Sequence, residues 1–147
     1  MKVLHISRTM GQGGAEKVVY QICKDISNIE MIVASVGGVY EEELSKLGVK
    51  HYYIPDIDSK NPIILVKTLL KLYKIMKKEK ITLIHSHHRM AAFYSKILSM
   101  FNKKIKRVYT AHNVFYNKRK LLRFALSGSE IVAVGNGVKN NLVGYFG

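Results

Sequence analysis

The first residues of this chain that suggest a ligand-binding site are glycines that follow an apolar run. Gly11, Gly13 and Gly14 follow a strand-like run at residues 2–7 and precede a helical pattern. A strand, a glycine turn and a helix start together direct backbone N–H groups and the positive end of the helix dipole at an anion. The segment predicts a phosphate-binding turn; a structural turn of an α/β domain is the alternative.

The spacing of these glycines differs from two common nucleotide-binding motifs. A dinucleotide fingerprint needs a third glycine where Glu16 stands, and the second predicted strand ends at Val36 without a carboxylate for a ribose. A P-loop ends in Gly-Lys-Ser or Gly-Lys-Thr, whereas Gly14 is followed by Ala15. NAD binding and nucleoside triphosphate hydrolysis are therefore not expected.

Four of the six histidines stand where predicted strands end. His85 and His87 face the same side of an extended strand, and with His88 they can be arranged as a zinc site. The spacing matches no common zinc motif, however, and no carboxylate or cysteine is close in sequence. We therefore predict no metal and place these histidines on the wall of a cleft. His112, after the fifth strand, can hydrogen-bond a substrate hydroxyl there, with a structural role as the alternative.

Two further chemical patterns favour structural interpretations. Asp56-Ile57-Asp58 is a D-x-D triplet, which can hold a divalent cation and a diphosphate. The triplet lies beside Pro55, so a turn of Asx side chains is favoured. Cys23, the single cysteine, lies among apolar residues of a helical pattern, which predicts a core position and excludes a disulfide within the chain.

The composition fits one folded domain. The chain has 147 residues, of which 48% are hydrophobic, and this is enough to bury a core. Arg8 and the glycines interrupt the apolar run that a signal peptide needs, and Lys67 interrupts the apolar run at residues 63–66. We therefore predict a cytoplasmic protein without a membrane span.

Basic residues are concentrated in two segments. The net charge is +14; residues 60–80 hold seven lysines against Glu79, and residues 103–123 hold eight basic residues without an acid. Such clusters suit anionic lipid headgroups, phosphorylated substrates or nucleic acid, and a merely solvated face is the alternative. Nucleic acid is the least favoured partner, because no helix-turn-helix, RNP or KH pattern accompanies the clusters.

Apolar patterns typical of strands and helices alternate along the whole chain. The predicted strands lie near residues 2–7, 30–36, 50–54, 81–86, 106–111 and 130–134, and the helices near 15–27, 41–47, 63–79, 88–101, 118–127 and 136–146. This alternation predicts an α/β domain with a mainly parallel sheet of about six strands, covered by helices on both faces. Ligands of such sheets bind at the carboxyl ends of the strands.

The predicted helix at residues 63–79 is amphipathic. Its lysines recur on one face and its apolar residues line the other, with Lys67, Lys71, Lys74 and Lys78 opposite Leu65, Leu69, Leu72 and Met76. Because the core needs the apolar face, an ordinary surface helix is favoured over direct membrane docking.

Several of these segments, taken in order, resemble the amino-terminal domain of family-4 glycosyltransferases. They are residues 2–6, Gly-Gly-Ala-Glu at 13–16 with its continuation to 19, Ile-His-Ser-His at 84–87, Tyr-Thr-Ala-His-Asn at 109–113, and residues 130–134 before 137–142. The resemblance covers essentially the whole chain. It implies a Rossmann-like three-layer domain that forms one half of the two-domain GT-B architecture, with the nucleotide sugar held by the other half.

The resemblance also implies roles for matching residues. Gly13, Gly14 and Ala15 approach the donor diphosphate, and His112 is the catalytic residue that contacts the sugar being transferred. Gly135 departs from the family pattern, which has serine at this point. Six residues are expected on the acceptor side of the cleft: Arg8, His87, His88, Arg89, Asn113 and Tyr116. Eight basic residues are expected to contact a membrane or another anion: Lys67, Lys71, Lys74, Lys78, Lys118, Arg119, Lys120 and Arg123.

Residues 1–147 hold no counterpart of the family's nucleotide-sugar domain. Because closure of two domains must stabilise the diphosphate and exclude water, we expect little or no turnover from this chain alone. The resemblance implies that the chain is the acceptor-side half of a retaining glycosyltransferase that acts in bacterial cell-surface polysaccharide synthesis. The donor substrate is expected to be a nucleotide sugar and the acceptor a glycan or a lipid-linked molecule. No cofactor is expected. The second domain is expected in cis or in trans. A non-catalytic binding or membrane-recruiting subunit of a split glycosyltransferase is the alternative. For either function, the expected location is the cytoplasm, with a peripheral position at the inner membrane face as a further option.

Overall fold

The computed structural model describes residues 1–11, 14–26, 28–111 and 130–133. Within these residues, strands and helices alternate in the predicted order. They are β1 (Lys2–Ile6), α1 (Gly14–Asp25), β2 (Glu30–Ser35), α2 (Tyr40–Lys46), β3 (Lys50–Tyr53), α3 (Pro62–Lys78), β4 (Leu83–Ser86), α4 (Arg89–Phe101), β5 (Lys106–Ala111) and β6 (Glu130–Ala133). The six predicted strands and the first four predicted helices are confirmed to within two residues at each end. The predicted helices near 118–127 and 136–146 lie outside the described residues.

The strands form one parallel sheet. In the described residues its order is β3-β2-β1-β4-β5-β6, and every neighbouring pair is parallel. Leu4 of the central strand β1 is paired with Ile32 of β2 on one side and with Ile84 of β4 on the other. The strand order reverses between β1 and β4, which is the point where such sheets open a crevice for ligands. The predicted α/β domain with about six parallel strands is confirmed, and its layers are Rossmann-like.

Among the residues that the structure describes, each face of the sheet packs against two helices. Leu72 of α3 and Leu98 of α4 are fully buried against one face. Val19 of α1 and Leu44 of α2 are fully buried against the other. Cys23 of α1 belongs to this second cluster, so its predicted core position is confirmed, and burial raises the pKa of its thiol to about 12.

Local capping chemistry sets where the helices begin and end. Asn61 Oδ1 accepts a hydrogen bond from the backbone N–H two residues on at 3.0 Å, and Pro62 fills the first position of α3, where an N–H is not needed. After α2, Gly48 has a φ of +78°, and Val49 N donates to Leu44 O at 3.0 Å. Glycine is favoured at a left-handed helix end of this kind.

Candidate functional site

The loop after β1 lies at the carboxyl edge of the sheet and leads into α1. Thr9 Oγ1 donates a hydrogen bond to Glu16 Oε1 at 2.7 Å, which ties this loop to the first turn of α1. The helix begins at Gly14. Gly14 and Ala15 therefore stand at a helix start behind a strand end, as the sequence predicts, whereas Gly13 lies outside the described residues.

The loop after β2 is hydrogen-bonded to the loop after β1 and packs closely against it. Met10 N donates to Gly37 O at 3.0 Å, and Tyr40 N donates to Met10 O at 2.9 Å. A Cβ built on Gly38 would lie 2.3 Å from Met10 C and 2.5 Å from Gly11 N, far inside van der Waals contact. A glycine at position 38 is therefore what lets the two backbones approach at Met10 and Gly11.

Arg8 forms a two-point ion pair at the same edge. Its Nε and Nη2 donate to Oδ1 and Oδ2 of Asp56 at 2.9 and 3.0 Å. Asp56 Oδ1 also accepts a hydrogen bond from Asp58 N at 2.9 Å, so the predicted Asx turn is confirmed. The hydrogen bond between them lowers the pKa of Asp56 and raises the pKa of Arg8. Both side chains are about half exposed, so the pair positions the guanidinium more than it stabilises the fold.

His88 begins α4 at the neighbouring strand end. Its Nδ1 accepts a hydrogen bond from Met90 N at 3.2 Å, which caps the helix. Burial lowers the pKa of His88, while the charge on Asp58 raises it and that on Arg89 lowers it further. The charge of Arg8 acts on the same ring. Arg8, His88 and Arg89 are therefore brought together at the carboxyl edge, where the sequence predicts a cleft.

Three imidazoles meet on the face of the sheet that α1 and α2 cover. His5 of β1 and His85 of β4 are opposite each other in the parallel register, and His87 follows two residues later. His5 Nδ1 lies 3.0 Å from His87 Nε2, and the rings of His85 and His87 stack with their centroids 4.1 Å apart. His5 and His87 are only 1% and 4% exposed. His87 is thus buried beneath the carboxyl edge, at a position where the sequence predicts a residue on the cleft wall.

The arrangement of His85, His87 and His88 that the sequence analysis set aside is not the one in the structure. β4 ends at Ser86 and the chain turns, so His88 caps α4 and does not lie with His85 and His87. His5 takes its place in the cluster. The signal that could have found it is a lone polar ring inside a central parallel strand, where both faces are normally apolar. Burial and the charge of His85 lower the pKa of His5 to about 3, so this ring is neutral at pH 7.

α3 presents an exposed surface that mixes lysines with apolar side chains. The lysines Lys67, Lys71, Lys74 and Lys78 are exposed, as predicted, while Leu72 and Met76 are buried on the opposite side. Three apolar residues among the lysines, which the sequence pattern did not predict to be exposed, are Ile63, Val66 and Leu70, at 65%, 57% and 54% exposed. We call the set Ile63, Val66, Lys67, Leu70, Lys71 and Lys74 the α3 face. Within the described residues, no helix combines the length and the apolar character needed to cross a bilayer.

An apolar hollow lies between α3 and α4, beside the α3 face. Its volume is about 280 Å³, and it is lined by Leu69, Leu70, Tyr73, Leu98 and Phe101. Phe101 is 68% exposed, and Lys77 Nζ lies 5.1 Å from the centroid of the Tyr73 ring. Basic and apolar groups are therefore continuous along this side of the molecule.

The remaining predicted site residues lie outside the described part of the chain. They are Gly13, His112, Asn113, Tyr116, Lys118, Arg119, Lys120 and Arg123, together with the family departure at Gly135. Their roles stay predictions.

The fold and the carboxyl-edge residues define a class of protein. A parallel sheet wound on both faces, with a helix start behind the central strand and polar side chains at the switch point, is a Rossmann-like domain. The family model of Glycosyltransferase Family 4 matches residues 12–147. The chain therefore belongs to Glycosyltransferase Family 4.

Solved structures with this fold are longer than the chain. A glycosyltransferase from Rickettsia africae is 24% identical, with a TM-score of 0.82 over 99% of this chain and 39% of its own. Anabaena Alr3699/HepE, solved in complex with UDP and glucose, is 17% identical, with a TM-score of 0.78 over 100% and 42%. UDP-GlcNAc 2-epimerase from Neisseria meningitidis, bound to UDP-GlcNAc, is 20% identical, with a TM-score of 0.65 over 97% and 42%. The chain thus spans about two fifths of each of these proteins.

These structural likenesses, all below 25% identity, establish the fold alone. A search of curated proteins finds no significant sequence match.

Proposed function

We propose that this chain is the acceptor-side half of a retaining glycosyltransferase, which transfers a sugar from a nucleotide sugar to a glycan or lipid-linked acceptor in bacterial cell-surface polysaccharide synthesis. The observation that carries this proposal is the match of residues 12–147 to Glycosyltransferase Family 4. Since an epimerase shares the fold, the family match and not the fold favours sugar transfer.

The donor diphosphate is proposed to meet the start of α1. The first amides of a helix are unpaired donors, and those of Gly14 and Ala15 follow the central strand at the switch point. The Thr9 to Glu16 hydrogen bond and the close approach of Gly38 hold the preceding loop before any ligand binds. Donors that are already in place stabilise the charge of a leaving diphosphate without further reorganisation. HepE, with the same fold, was solved with UDP and glucose, which supports a nucleotide-sugar donor here.

The acceptor is proposed to lie against Arg8, His88 and Arg89. The guanidinium of Arg8 is about half exposed, and its charge is already paired with Asp56. Such a group suits hydrogen bonds to neutral sugar hydroxyls better than capture of a second phosphate. The family resemblance adds His112, Asn113 and Tyr116 to this side of the cleft.

A second domain that holds the nucleotide is proposed to complete the site, either in cis or in trans. The chain spans about two fifths of the solved proteins with its fold, which supports this division. We expect no measurable transfer by the chain alone, because half a cleft neither encloses the diphosphate nor excludes water.

The test compares the tag-free chain alone with the chain joined to the nucleotide-sugar domain of a family-4 enzyme. Both are given a panel of labelled nucleotide sugars and lipid-linked or glycan acceptors, and the product's anomeric configuration is read by NMR. The proposal expects transfer with retention only from the joined protein. Robust turnover by the chain alone would refute the division of labour, and inversion would refute the retaining assignment.

The α3 face is proposed to dock on an anionic membrane surface, which would bring a lipid-linked acceptor to the cleft. α3 begins behind the loop that follows β3, so Ile63, Val66 and Lys67 lie at its end near the carboxyl edge of the sheet. Exposed apolar side chains interleaved with lysines match the interfacial region of a bilayer, where acyl chains and anionic headgroups are both in reach. The same surface is what favours the alternative function, a non-catalytic subunit that recruits a transferase to the membrane.

We expect Lys67→Gln/Lys71→Gln to weaken binding to anionic vesicles by about 30-fold, because each lysine near such a surface contributes about 1 kcal/mol. Binding is measured by cosedimentation with phosphatidylserine-containing vesicles at low and high salt. The wild-type chain should bind at low salt, lose affinity at high salt and bind neutral vesicles weakly.

A matched control removes two exposed lysines from the helices on the other face of the sheet. Lys24→Gln/Lys46→Gln changes the net charge equally and should reduce vesicle binding much less. Equal losses from the two double variants would show non-specific attraction by net charge. If the wild-type chain shows no salt-sensitive binding, the lysines form only a solvated face and the membrane-docking proposal is wrong.

A further inference from the structure

We propose that His5, His85 and His87 form a binding site for a divalent transition-metal ion of the Zn²⁺ class. One ring nitrogen from each of the three residues can be chosen so that all three atoms lie within 4.8 Å of one another. The proposal is independent of sugar transfer.

The geometry of the three rings is close to what such an ion requires. Zn–N bonds of about 2.0–2.1 Å in a tetrahedral site put ligand nitrogens about 3.3 Å apart. His5 Nδ1 and His87 Nε2 already lie 3.0 Å apart. One nitrogen from each of the three rings lies within 4.8 Å of the others, so the longest of these separations has to shorten by no more than about 1.5 Å. A rotation about side-chain torsions supplies a movement of this size.

The hydrogen bonds around the rings favour metal ligation. His5 Nε2 faces Met31 Sδ at 3.2 Å, and a thioether sulfur can only accept, so the hydrogen of His5 is favoured on Nε2. This leaves a lone pair on His5 Nδ1, aimed at His87 Nε2. A cation between these two atoms replaces the shared hydrogen, which then moves to Nδ1 of His87. Outer contacts of this type commonly fix the tautomer and the orientation of ligating histidines.

His85 is held by a contact of its own. Its Nε2 lies 2.6 Å from Thr110 Oγ1 on β5, and its ring lies 5.1 Å from that of His5 between centroids. The three ligands are therefore set by β1 and β4, with β5 supporting the third ring. A site built on the rigid centre of a sheet needs little ordering when the ion binds.

The ligand set indicates which ions fit. Among the described residues, the cluster contains imidazoles and no carboxylate. Neutral imidazole suits Zn²⁺, Co²⁺, Ni²⁺ and Cu²⁺, whereas Mg²⁺ and Ca²⁺ prefer oxygen. Three neutral ligands leave a tetrahedral ion with its full charge and a fourth position for water or an anion.

The experiment measures metal binding by the tag-free full-length chain after chelator treatment and dialysis. Titration with Zn²⁺ should show one equivalent per chain, Co²⁺ should give the visible absorption of a low-coordinate nitrogen site, and Mg²⁺ should not compete. His5→Gln and His87→Gln should each weaken Zn²⁺ binding at least 10- to 100-fold, which is the loss typical for outer partners alone.

His88→Asn is the matched control, because asparagine caps a helix well and His88 is a neighbouring histidine that caps α4. This variant should keep both the stoichiometry and the cobalt spectrum. Circular dichroism of the metal-free proteins checks folding. If His5→Gln does not fold, Zn²⁺ binding by His85→Gln is measured in its place. The proposal is overturned if the folded wild-type chain binds no Zn²⁺, or if binding survives His5→Gln and His87→Gln.

Discussion

Replacement of Gly38 by alanine is expected to destabilise the fold by about 3 kcal/mol or more. The added methyl group would lie 2.3 and 2.4 Å from the carbonyl carbon and oxygen of Met10 and 2.5 Å from Gly11 N. These are backbone atoms of a loop that is itself hydrogen-bonded to the β2 loop, so neither backbone segment can move aside at a small cost in free energy. Overpacking of this kind typically costs about 1–3 kcal/mol in cores where side chains can adjust, and backbone adjusts less. Urea unfolding followed by circular dichroism gives the change in the free energy of unfolding.

Gly48→Ala is the matched control for this prediction. Gly38 has a φ of +157° and Gly48 one of +78°, but a Cβ built on Gly48 meets no atom within 4 Å. The left-handed conformation alone should cost about 1–2 kcal/mol. Hydrogen exchange should show lost protection at the amides of Met10 and Tyr40 in Gly38→Ala and normal protection in Gly48→Ala. Equal destabilisation by the two variants would mean that backbone conformation, and not the approach of the two loops, requires glycine at position 38.

Gly14→Val and His112→Ala are both expected to lower sugar transfer in the complete, two-domain enzyme, and for His112→Ala the expected loss is about 5- to 150-fold. Loss of one hydrogen bond to a charged or reacting group costs about 1–3 kcal/mol, which corresponds to this range of rates. Valine at the first residue of α1 places a branched side chain where the diphosphate is proposed to approach the backbone. Alanine at position 112 removes the proposed contact to the transferring sugar. Transfer is measured as kcat/KM for the nucleotide sugar.

Gly48→Ala again serves as the control, since Gly48 lies before β3 at the amino edge of the sheet, away from the proposed site. It should keep transfer near the wild-type rate. Thermal unfolding of all three variants separates lost chemistry from lost structure. If Gly14→Val and His112→Ala remain folded and transfer sugar normally, the glycine turn and the histidine are structural, and the assignment of the donor site is wrong.

The local elements of this protein follow from its sequence. The helix predicted near 63–79 is α3 at Pro62–Lys78, because an apolar stripe and an Asn-Pro start act within a few residues of one another. The Asx turn at Asp56 was predictable for the same reason, since its hydrogen bond spans two residues. Alternating strands and helices also predict parallel pairing, because parallel strands need a crossover between them.

The tertiary structure alone decided which of these elements meet. His5 and His87 are 82 residues apart in sequence, and Arg8 and Asp56 are 48 apart. Their contacts depend on strand order and register, which periodicity within one strand does not specify. The exposure of Val66 within α3 is a further case, because its burial depends on what packs against the helix. The sequence by itself therefore determined the helices, the strands and the class of fold, because the interactions that form them act over one or two turns. The tertiary structure decided the histidine cluster and the α3 face, because these depend on how distant segments are brought together.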